Sequence, residues 1–452
     1  MDSRENFGRF GALMAMAGSA VGLGNLWRFP YLLGENGGGA FLIVYVAVAF
    51  LLALPIFFAE FIIGRRSSTN CFGAFRKLAP GTKWQWLGLL SILVPLIIVS
   101  YYSVVGGWTI QYLLRACCFD FSPDVSQEQL SSVFSDFVSS VWPPLLGFVV
   151  FLGTSALIVL RGVKKGIERF GKIAMPVLFF IVIAMAVYVL TIDGAFQGLK
   201  YLFTPDFSKI TPHVVSAALG QSFFSMSLGC GCIMTYASYV RKKDDMVAHC
   251  AGTSVLDLTF AVIAGCAIMP AVFAFGVNPS AGPSLVYETL PFIFSRMALG
   301  NVVAIVFFVA LLVAALTSEI SMFEAVTAYL TEEKKLSRAR AVGIVFTVGL
   351  VLGGLCSLSF GPLSDFKVAG KILFDFLDSF CSDYLMTLGA LMIVIFVGWK
   401  MKKEDVFDEF TSGGIYPLSV RIFKPVYFTI RYIAPVVILT IMISGLLYKN
   451  LF

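Results

Sequence analysis

The chain has 452 residues, of which 58% are hydrophobic and only 13% are charged. A soluble domain of this length cannot bury that much apolar surface, so the composition excludes an ordinary water-soluble protein. The formal net charge is +6, and its meaning depends on where the basic residues fall along the chain.

Eleven apolar stretches recur from end to end, each long enough to cross a hydrocarbon core about 30 Å thick as a helix. No polar segment between them is long enough for a separate soluble domain. The sequence therefore predicts one all-α membrane-embedded unit over residues 1–452. The stretches cover approximately residues 10–33, 40–64, 86–115, 143–161, 172–191, 212–239, 246–275, 299–330, 341–359, 372–399 and 424–448.

The basic residues predict the orientation in the membrane. Residues 1–10 lack the short apolar core and cleavage site of a signal peptide, so we expect none to be removed. With this end in the cytoplasm, most of the 33 Lys and Arg residues fall on the cytoplasmic side, and the loop 119–141 has none. Eleven crossings then put the C-terminus outside the inner (plasma) membrane. Topology explains the net charge, and a nucleic-acid partner has no support.

Motifs of enzyme chemistry are missing from the sequence. The nine cysteines are scattered, and the Cys230-x-Cys232 pair has neither zinc nor thioredoxin spacing. There is no HExxH motif, no P-loop and no nucleophile elbow. We therefore expect neither an enzyme nor an ATP-driven pump.

Two predicted helices are interrupted by glycine and small polar residues, at 17–25 (AGSAVGLGN) and at 222–231 (SFFSMSLGCG). Irregular backbone is tolerated in hydrocarbon only where protein or a cavity supplies partners for the freed polar groups. Close helix packing through small residues is the alternative, and for a single glycine pair it is the better one. Because each interrupted helix heads a block of five, we favour an inverted repeat with a binding site where the breaks meet.

Four motifs carry a family resemblance: NLWRFPY at 25–31, ENGGGAF at 35–41, KGIERF at 165–170 and TYASY at 235–239. Through them the sequence resembles the neurotransmitter:sodium symporter family, including its bacterial leucine transporter and eleven-helix relatives. The resemblance implies a 5+5 inverted repeat, about 1–191 and 212–399, followed by an additional helix at 424–448. It also implies Na⁺-driven uptake of an amino acid by alternating access.

The resemblance implies two sodium sites. One would use backbone oxygens of Gly18, Val21 and Ala314 with the hydroxyls of Thr317 and Ser318. Neutral oxygen ligands suit a small monovalent cation whose hydration shell they replace. The alternative is that the two hydroxyls only bond to the backbone of their own helix, as hydroxyls in apolar helices commonly do.

The other sodium site would use Ala20, Asn25, Ser225 and Asp257, completed by the substrate carboxylate. The leucine transporter has an amide at the position of Asp257. A carboxylate inside a membrane helix is costly without a partner, and Na⁺ is the expected one, with a structural ion pair as the alternative.

Because Ala261 replaces a chloride-ligating side chain of animal members, we expect chloride independence. Protonation of Asp257 on the return step would yield proton antiport.

A zwitterionic substrate is implied by the remaining positions. Its carboxylate would meet Leu23, Gly24 and Tyr102, and its ammonium the carbonyls around Ala20, Phe224, Ser225 and Ser227. Its side chain would lie among Val21, Ile98, Phe224, Cys230, Ser318 and Met322, although such residues taken singly are more often core. This lining has no fixed charge, and Cys230 is smaller than the aromatic residue of the leucine transporter. We therefore expect a neutral amino acid with a larger aliphatic or aromatic side chain.

Alternating access also requires gates. Arg28 with Asp378, and Tyr102 stacked near Phe224, resemble the extracellular gate. Arg4 with Glu332, steadied near Tyr239 and Glu324, resemble the cytoplasmic gate. An exposed ion pair contributes less than about 1 kcal/mol, which suits a latch that must open. A non-transporting receptor, a channel or a proton-coupled transporter on the same scaffold remains the alternative function.

Overall fold

The computed structural model describes residues 6–121, 126–279 and 285–448. Eighteen α-helices, one turn of 3-10 helix at Phe207–Lys209 and a two-stranded antiparallel hairpin make up this part of the chain, and Val368 of the hairpin pairs with Lys371. The elements are α1 (Arg9–Ala20), α2 (Gly24–Glu35), α3 (Gly39–Ser67), α4 (Cys71–Leu78), α5 (Gln85–Cys117), α6 (Gln127–Ser139), α7 (Trp142–Leu160), α8 (Val163–Val189), α9 (Phe196–Phe203), α10 (Pro212–Ser225), α11 (Cys232–Ala237), α12 (Met246–Ala274), α13 (Thr289–Arg296), α14 (Gly300–Glu332), α15 (Arg338–Leu358), β1 (Lys367–Val368), β2 (Lys371–Ile372), α16 (Leu373–Lys400), α17 (Lys403–Thr411) and α18, which begins at Pro417 and ends with the segment Ala434–Tyr448.

The predicted membrane helices are present. Within the described ranges, nine helices are long and apolar enough to cross a membrane, and the bent pair of α1 and α2 makes a tenth span. The predicted stretch 212–239 forms the broken pair of α10 and α11. Two starts were predicted too late, since α8 begins at Val163 and α18 at Pro417. Basic residues in these first turns obscured the helices, although long basic side chains can reach the membrane surface from a helix.

The first predicted break is confirmed. Helix α1 ends where Val21 takes up extended backbone, with φ −77° and ψ 99°, and α2 continues after a bend of 47°. The carbonyls that the break releases from the helix accept hydrogen bonds from side chains elsewhere in the fold. Ser227 Oγ, for example, donates to the carbonyl of Ser19 over 3.0 Å. Hydrogen-bond partners of this kind allow irregular backbone to lie within the hydrocarbon region of a membrane.

The second predicted break is also confirmed, and it separates α10 from α11 at residues 226–231. Ser227, Gly229 and Gly231 have φ values of 52°, 81° and 76°, in the left-handed region. At Gly229 the requirement for glycine is strict, because a Cβ atom there would lie 1.9 Å from the carbonyl oxygen of Met386. The chain therefore turns through this break in close contact with α16.

The outer surface of the helix assembly is apolar. Phe180 and Val187 of α8 are 74% and 62% exposed, and Val436 of α18 is 64% exposed. Large apolar side chains exposed along long helices are expected where lipid, rather than water, is the solvent. Helix α14 packs against α1, α5 and α8 in the interior. The polar groups described next therefore lie inside the helix assembly.

Candidate sodium and substrate site

A buried polar cluster surrounds Asp257 of α12. Asn25 Nδ2 donates to Asp257 Oδ1 over 2.8 Å and to the Asp257 carbonyl over 3.1 Å. Ser225 Oγ donates to the same Oδ1 over 2.7 Å, and Tyr45 Oη donates to Oδ2 over 3.5 Å. Helices α2, α3, α10 and α12 each supply one of these side chains. We call Asn25, Tyr45, Ser225 and Asp257 the acidic cluster.

The acidic cluster is rich in oxygen and carries one carboxylate. Asn25 Oδ1 also accepts from Ser225 Oγ over 3.4 Å and from the Gly22 amide over 3.2 Å. Carboxylate, amide and hydroxyl oxygens are ligands that a small hard cation prefers. A cation bound here would offset the cost of burying the charge of Asp257. Ala20, the fourth predicted ligand, is buried and lines the same cavity as Ser225.

A second cluster joins α14 to the end of α1. Thr317 Oγ1 donates to the Ala314 carbonyl over 2.8 Å and lies 3.3 Å from the Val21 carbonyl. Ser318 Oγ lies 3.5 Å from the carbonyl of Gly18 and 3.3 Å from that of Ser19. We call Gly18, Val21, Ala314, Thr317 and Ser318 the neutral cluster. Its hydroxyls reach across to α1 as well as to their own helix.

A narrow cavity lies between the two breaks. Two predicted substrate contacts, the Val21 side chain and the Leu23 amide, are not part of its lining; the Leu23 amide donates over 3.4 Å to the hydroxyl of Tyr102, which does line it. Ser19, Gly22 and Met386 line it and were not predicted. The lining comprises Ser19, Ala20, Gly22, Gly24, Ile98, Tyr102, Phe224, Ser225, Ser227, Cys230, Ser318, Met322 and Met386.

Two buried carboxylates near the cavity were missed in the sequence. Glu60 of α3 accepts a hydrogen bond from the amide of Gly229 and so supports the second break. Glu319 of α14 accepts from Ser103 Oγ over 2.6 Å. A carboxylate inside an apolar stretch is itself a signal of a functional or structural partner, and this signal was available for both. Tyr45 offered no such signal, because a tyrosine in an apolar helix is common.

The residues expected at the extracellular gate lie close together without forming the expected contacts. The guanidinium of Arg28 lies over the Phe224 ring, 4.7 Å from its centroid. In the described part of the chain, no ion pair within 4 Å joins Arg28 to Asp378, and the rings of Tyr102 and Phe224 do not stack. A cation over an aromatic face is attracted to it, which accounts for the position of Arg28.

The cytoplasmic gate was predicted around Arg4, which lies outside the described residues. Its predicted partner Glu332 accepts from Thr69 Oγ1 over 2.9 Å and from the Asn70 amide over 2.8 Å. Tyr239 Oη donates to Glu324 over 2.8 Å.

Arg338 at the start of α15 was not predicted at this gate, yet it donates to both carboxylate oxygens of Glu324. Its partner is fully buried, whereas Arg338 itself is 26% exposed. No motif in the sequence connects these two residues, which come together through the packing of α14 against α15.

Comparison with known proteins places this arrangement in a family. The model of the sodium:neurotransmitter symporter family matches residues 4–122 and 128–451. The chain belongs to the sodium:neurotransmitter symporter family. This symporter is 37% identical over 441 residues to the uncharacterized sodium-dependent transporter YhdH of Bacillus subtilis, with 96% of each chain covered. It is 34% identical to an uncharacterized sodium-dependent transporter of Haemophilus influenzae, again with 96% of each chain covered.

A solved structure supports the fold of the symporter. It resembles the crystal structure of MhsT in complex with L-phenylalanine, with a TM-score of 0.89 and 40% sequence identity, and the match covers 98% of this chain and 100% of that one. The resemblance and fold class inferred from the sequence are confirmed. The protein is a multi-pass, sodium-dependent membrane transporter of this family and not an enzyme.

Proposed function

We propose that this symporter uses the Na⁺ gradient to take up a neutral, hydrophobic or aromatic L-amino acid by alternating access. The observation that carries the proposal is the convergence of two buried oxygen clusters and one cavity on the two helix breaks. Bound Na⁺ and a dipolar solute can replace the helix hydrogen bonds lost at such breaks. Ligand binding and backbone opening would then stabilise each other.

Two Na⁺ ions fit the proposal, one in each cluster. In the acidic cluster, Asn25, Ser225 and Asp257 with the Ala20 carbonyl would bind the first ion. The substrate carboxylate would complete that shell, near the Leu23 and Gly24 amides and Tyr102 Oη. The neutral cluster would bind the second ion. The substrate ammonium would face the carbonyls around Ala20, Phe224, Ser225 and Ser227.

The cavity wall favours a neutral substrate side chain. None of the lining residues carries a formal charge, and a buried charged side chain without a partner is costly. Ile98, Phe224, Cys230, Ser318 and Met322 would surround it, together with Met386. The similar structure of MhsT holds L-phenylalanine, which supports an aromatic or large aliphatic substrate here.

Chloride independence forms part of the proposal. Asp257 supplies a fixed negative charge within the acidic cluster, where Asn25 and Ser225 donate to it. Ala261, one turn farther along α12, is fully buried and has no polar side-chain atom with which to bind an anion. While Na⁺ is bound, the carboxylate of Asp257 would balance the charge of the ion, so that a bound chloride is unnecessary.

We place the symporter in the inner (plasma) membrane with a cytoplasmic N-terminus and an external C-terminus. Arg28 and Asp378 would close the site on the outside. Glu332 with Arg4, and Tyr239 with Glu324, would close it on the inside. The inverted repeats would comprise about 1–191 and 212–399, with the additional helix at 424–448 outside them. The accumulation of Lys and Arg residues in the loops on one side of the membrane supports this orientation.

Uptake into proteoliposomes tests the proposed function. Purified protein is reconstituted, and the twenty amino acids are screened with an imposed inward Na⁺ gradient, an inward proton gradient or neither. We expect Na⁺-driven accumulation of neutral large side chains. Accumulation driven by protons in the absence of Na⁺ would establish the proton-coupled alternative. Binding without accumulation under any gradient would establish a receptor.

A further inference from the structure

Two cysteine thiols lie side by side at the second helix break. The sulfur atoms of Cys230 and Cys232 are 3.4 Å apart. Cys230 lines the cavity, and its thiol donates to the Ser227 carbonyl over 3.0 Å. Cys232 is the first residue of α11 and is fully buried behind it. The proposed transport mechanism gives this pair no role.

The backbone between the two thiols can adapt to a bond between them. A disulfide requires a sulfur separation of about 2.0 Å, so the two atoms need to approach by little more than 1 Å. Gly231 lies between the cysteines with φ 76°, a region open to glycine. No helix hydrogen-bond ladder runs through this break, because α10 ends at Ser225 and α11 begins at Cys232.

We propose that Cys230 and Cys232 form a redox-sensitive dithiol whose oxidation to a disulfide stops transport. The inference rests on the proposed function, because the cavity must open to the outside for an oxidant to reach Cys230. The ligand class is a small peroxide or another small thiol oxidant in the external medium. Cys230 is the thiol attacked first, since it lines the cavity, and Cys232 is the resolving thiol.

The chemistry balances with one peroxide molecule. The Cys230 sulfur attacks a peroxide oxygen, the O–O bond breaks, and a sulfenic acid and one water form. The Cys232 sulfur then attacks the sulfenic sulfur, so that the S–S bond forms and the S–O bond breaks, releasing a second water. Two thiols are oxidised by two electrons in total, and hydrogen peroxide is reduced to two waters. A dithiol reductant reverses the disulfide by thiol–disulfide exchange.

Oxidation stops transport because the new bond closes a small ring across the break. The break is the segment that absorbs backbone rotation as a broken helix rearranges. Once the ring has closed, Gly231 can no longer rotate independently of the two cysteines, and its carbonyl accepts a hydrogen bond from Cys71 Sγ over 3.2 Å. Drawing Cys230 towards Cys232 also moves it out of the cavity wall.

Peptide mass spectrometry tests the bond directly. Proteoliposomes are treated with hydrogen peroxide, denatured, alkylated with N-ethylmaleimide and digested with trypsin. The tryptic peptide 210–241 contains both thiols and no other cysteine. We expect it to lose two hydrogens and to take up no alkyl group, and to accept two alkyl groups after reduction with dithiothreitol. L-phenylalanine with Na⁺ should slow the oxidation by covering Cys230. Two alkyl groups after peroxide, or a cross-link to Cys71, would overturn the proposal.

Uptake measured on the same samples tests the consequence. We expect peroxide to abolish most Na⁺-driven uptake and dithiothreitol to restore it. C232A should retain uptake before peroxide treatment, because Cys232 does not line the cavity, and under peroxide its Cys230 should stop at a sulfenic acid that dimedone traps, with no disulfide. C71A should form the Cys230–Cys232 disulfide and lose uptake as the unaltered protein does. Peptide oxidation with undiminished uptake would refute the switch. The peptide result does not depend on transport, so a failure of the proposed function would appear as an oxidised peptide in a protein that accumulates nothing.

Discussion

The acidic cluster and the neutral cluster both lie beside the first helix break, but they are built from different oxygen atoms. The acidic cluster includes the carboxylate of Asp257, to which Asn25 and Ser225 donate at 2.8 and 2.7 Å. The neutral cluster uses carbonyls and two hydroxyls, with contacts of 2.8 to 3.5 Å. Charge strengthens a buried hydrogen bond and makes its loss more costly. Under the proposed function, the acidic cluster would therefore hold its Na⁺ ion more strongly than the neutral cluster holds the second one.

The largest effect is expected from a change that disrupts the second break itself. A Cβ atom on Gly229 would meet the Met386 carbonyl at 1.9 Å, in a left-handed conformation. We expect Gly229→Ala to lower the free energy of unfolding by at least about 4 kcal/mol, because the cost of the collision adds to the cost of the left-handed conformation. Thermal unfolding in detergent measures this loss. Gly220→Ala is the matched control, since a Cβ on Gly220 meets nothing within 4 Å. Equal melting temperatures for both variants would contradict the strict requirement at Gly229.

The next largest effect is expected from removing the carboxylate of Asp257 in the acidic cluster. Asp257→Ala removes the carboxylate that accepts hydrogen bonds from Asn25, Ser225 and Tyr45, and with it the one charged oxygen ligand of the acidic cluster. We expect the Na⁺ concentration for half-maximal uptake to rise about 100-fold, equivalent to about 3 kcal/mol. Na⁺ titration of uptake measures it. The exposed Asp193→Ala should behave as wild type, and a comparable Na⁺ dependence in both variants would remove Asp257 from the ion site.

A smaller effect is expected from removing one hydroxyl of the neutral cluster. Thr317→Val removes one hydroxyl and nearly preserves the shape of the side chain, so we expect a threefold to tenfold weaker response to Na⁺, about 1 kcal/mol. Thr327→Val is the matched control, because Thr327 is buried in the same helix and bonds only to the carbonyl of Phe323 among the contacts in the described residues. If both variants lose the same amount, Thr317 acts through its own helix and not through an ion.

The smallest effect is expected from removing chloride from the medium. Because Asp257 supplies the negative charge and Ala261 offers no anion ligand, replacing chloride by gluconate should leave Na⁺-driven uptake unchanged. The measurement compares initial uptake rates at equal ionic strength and membrane potential. Collapse of uptake in gluconate would show that the acidic cluster does not replace a bound chloride.

The two broken helices were predictable from the sequence, because glycine and small polar residues stand out in apolar stretches, and the family resemblance named residues that the structure groups into the acidic and neutral clusters. Contacts between distant segments were not visible. Arg65 is 1% exposed and donates over 2.5 Å to Glu409, which lies 344 positions later in the chain. Met386 lines the cavity from α16 although its neighbours in sequence are ordinary apolar residues. Such positions depend on how helices pack, which periodicity alone does not specify.

The central claim is that Na⁺ and an amino acid together hold the two helix breaks open, and equilibrium binding tests it most directly. L-phenylalanine binding to the purified protein is measured over a series of Na⁺ concentrations, with choline keeping the ionic strength constant. Affinity should rise steeply with Na⁺, and the dependence should become shallower in Thr317→Val. An affinity for L-phenylalanine that is clearly measurable and identical in Na⁺ and in choline would contradict the claim.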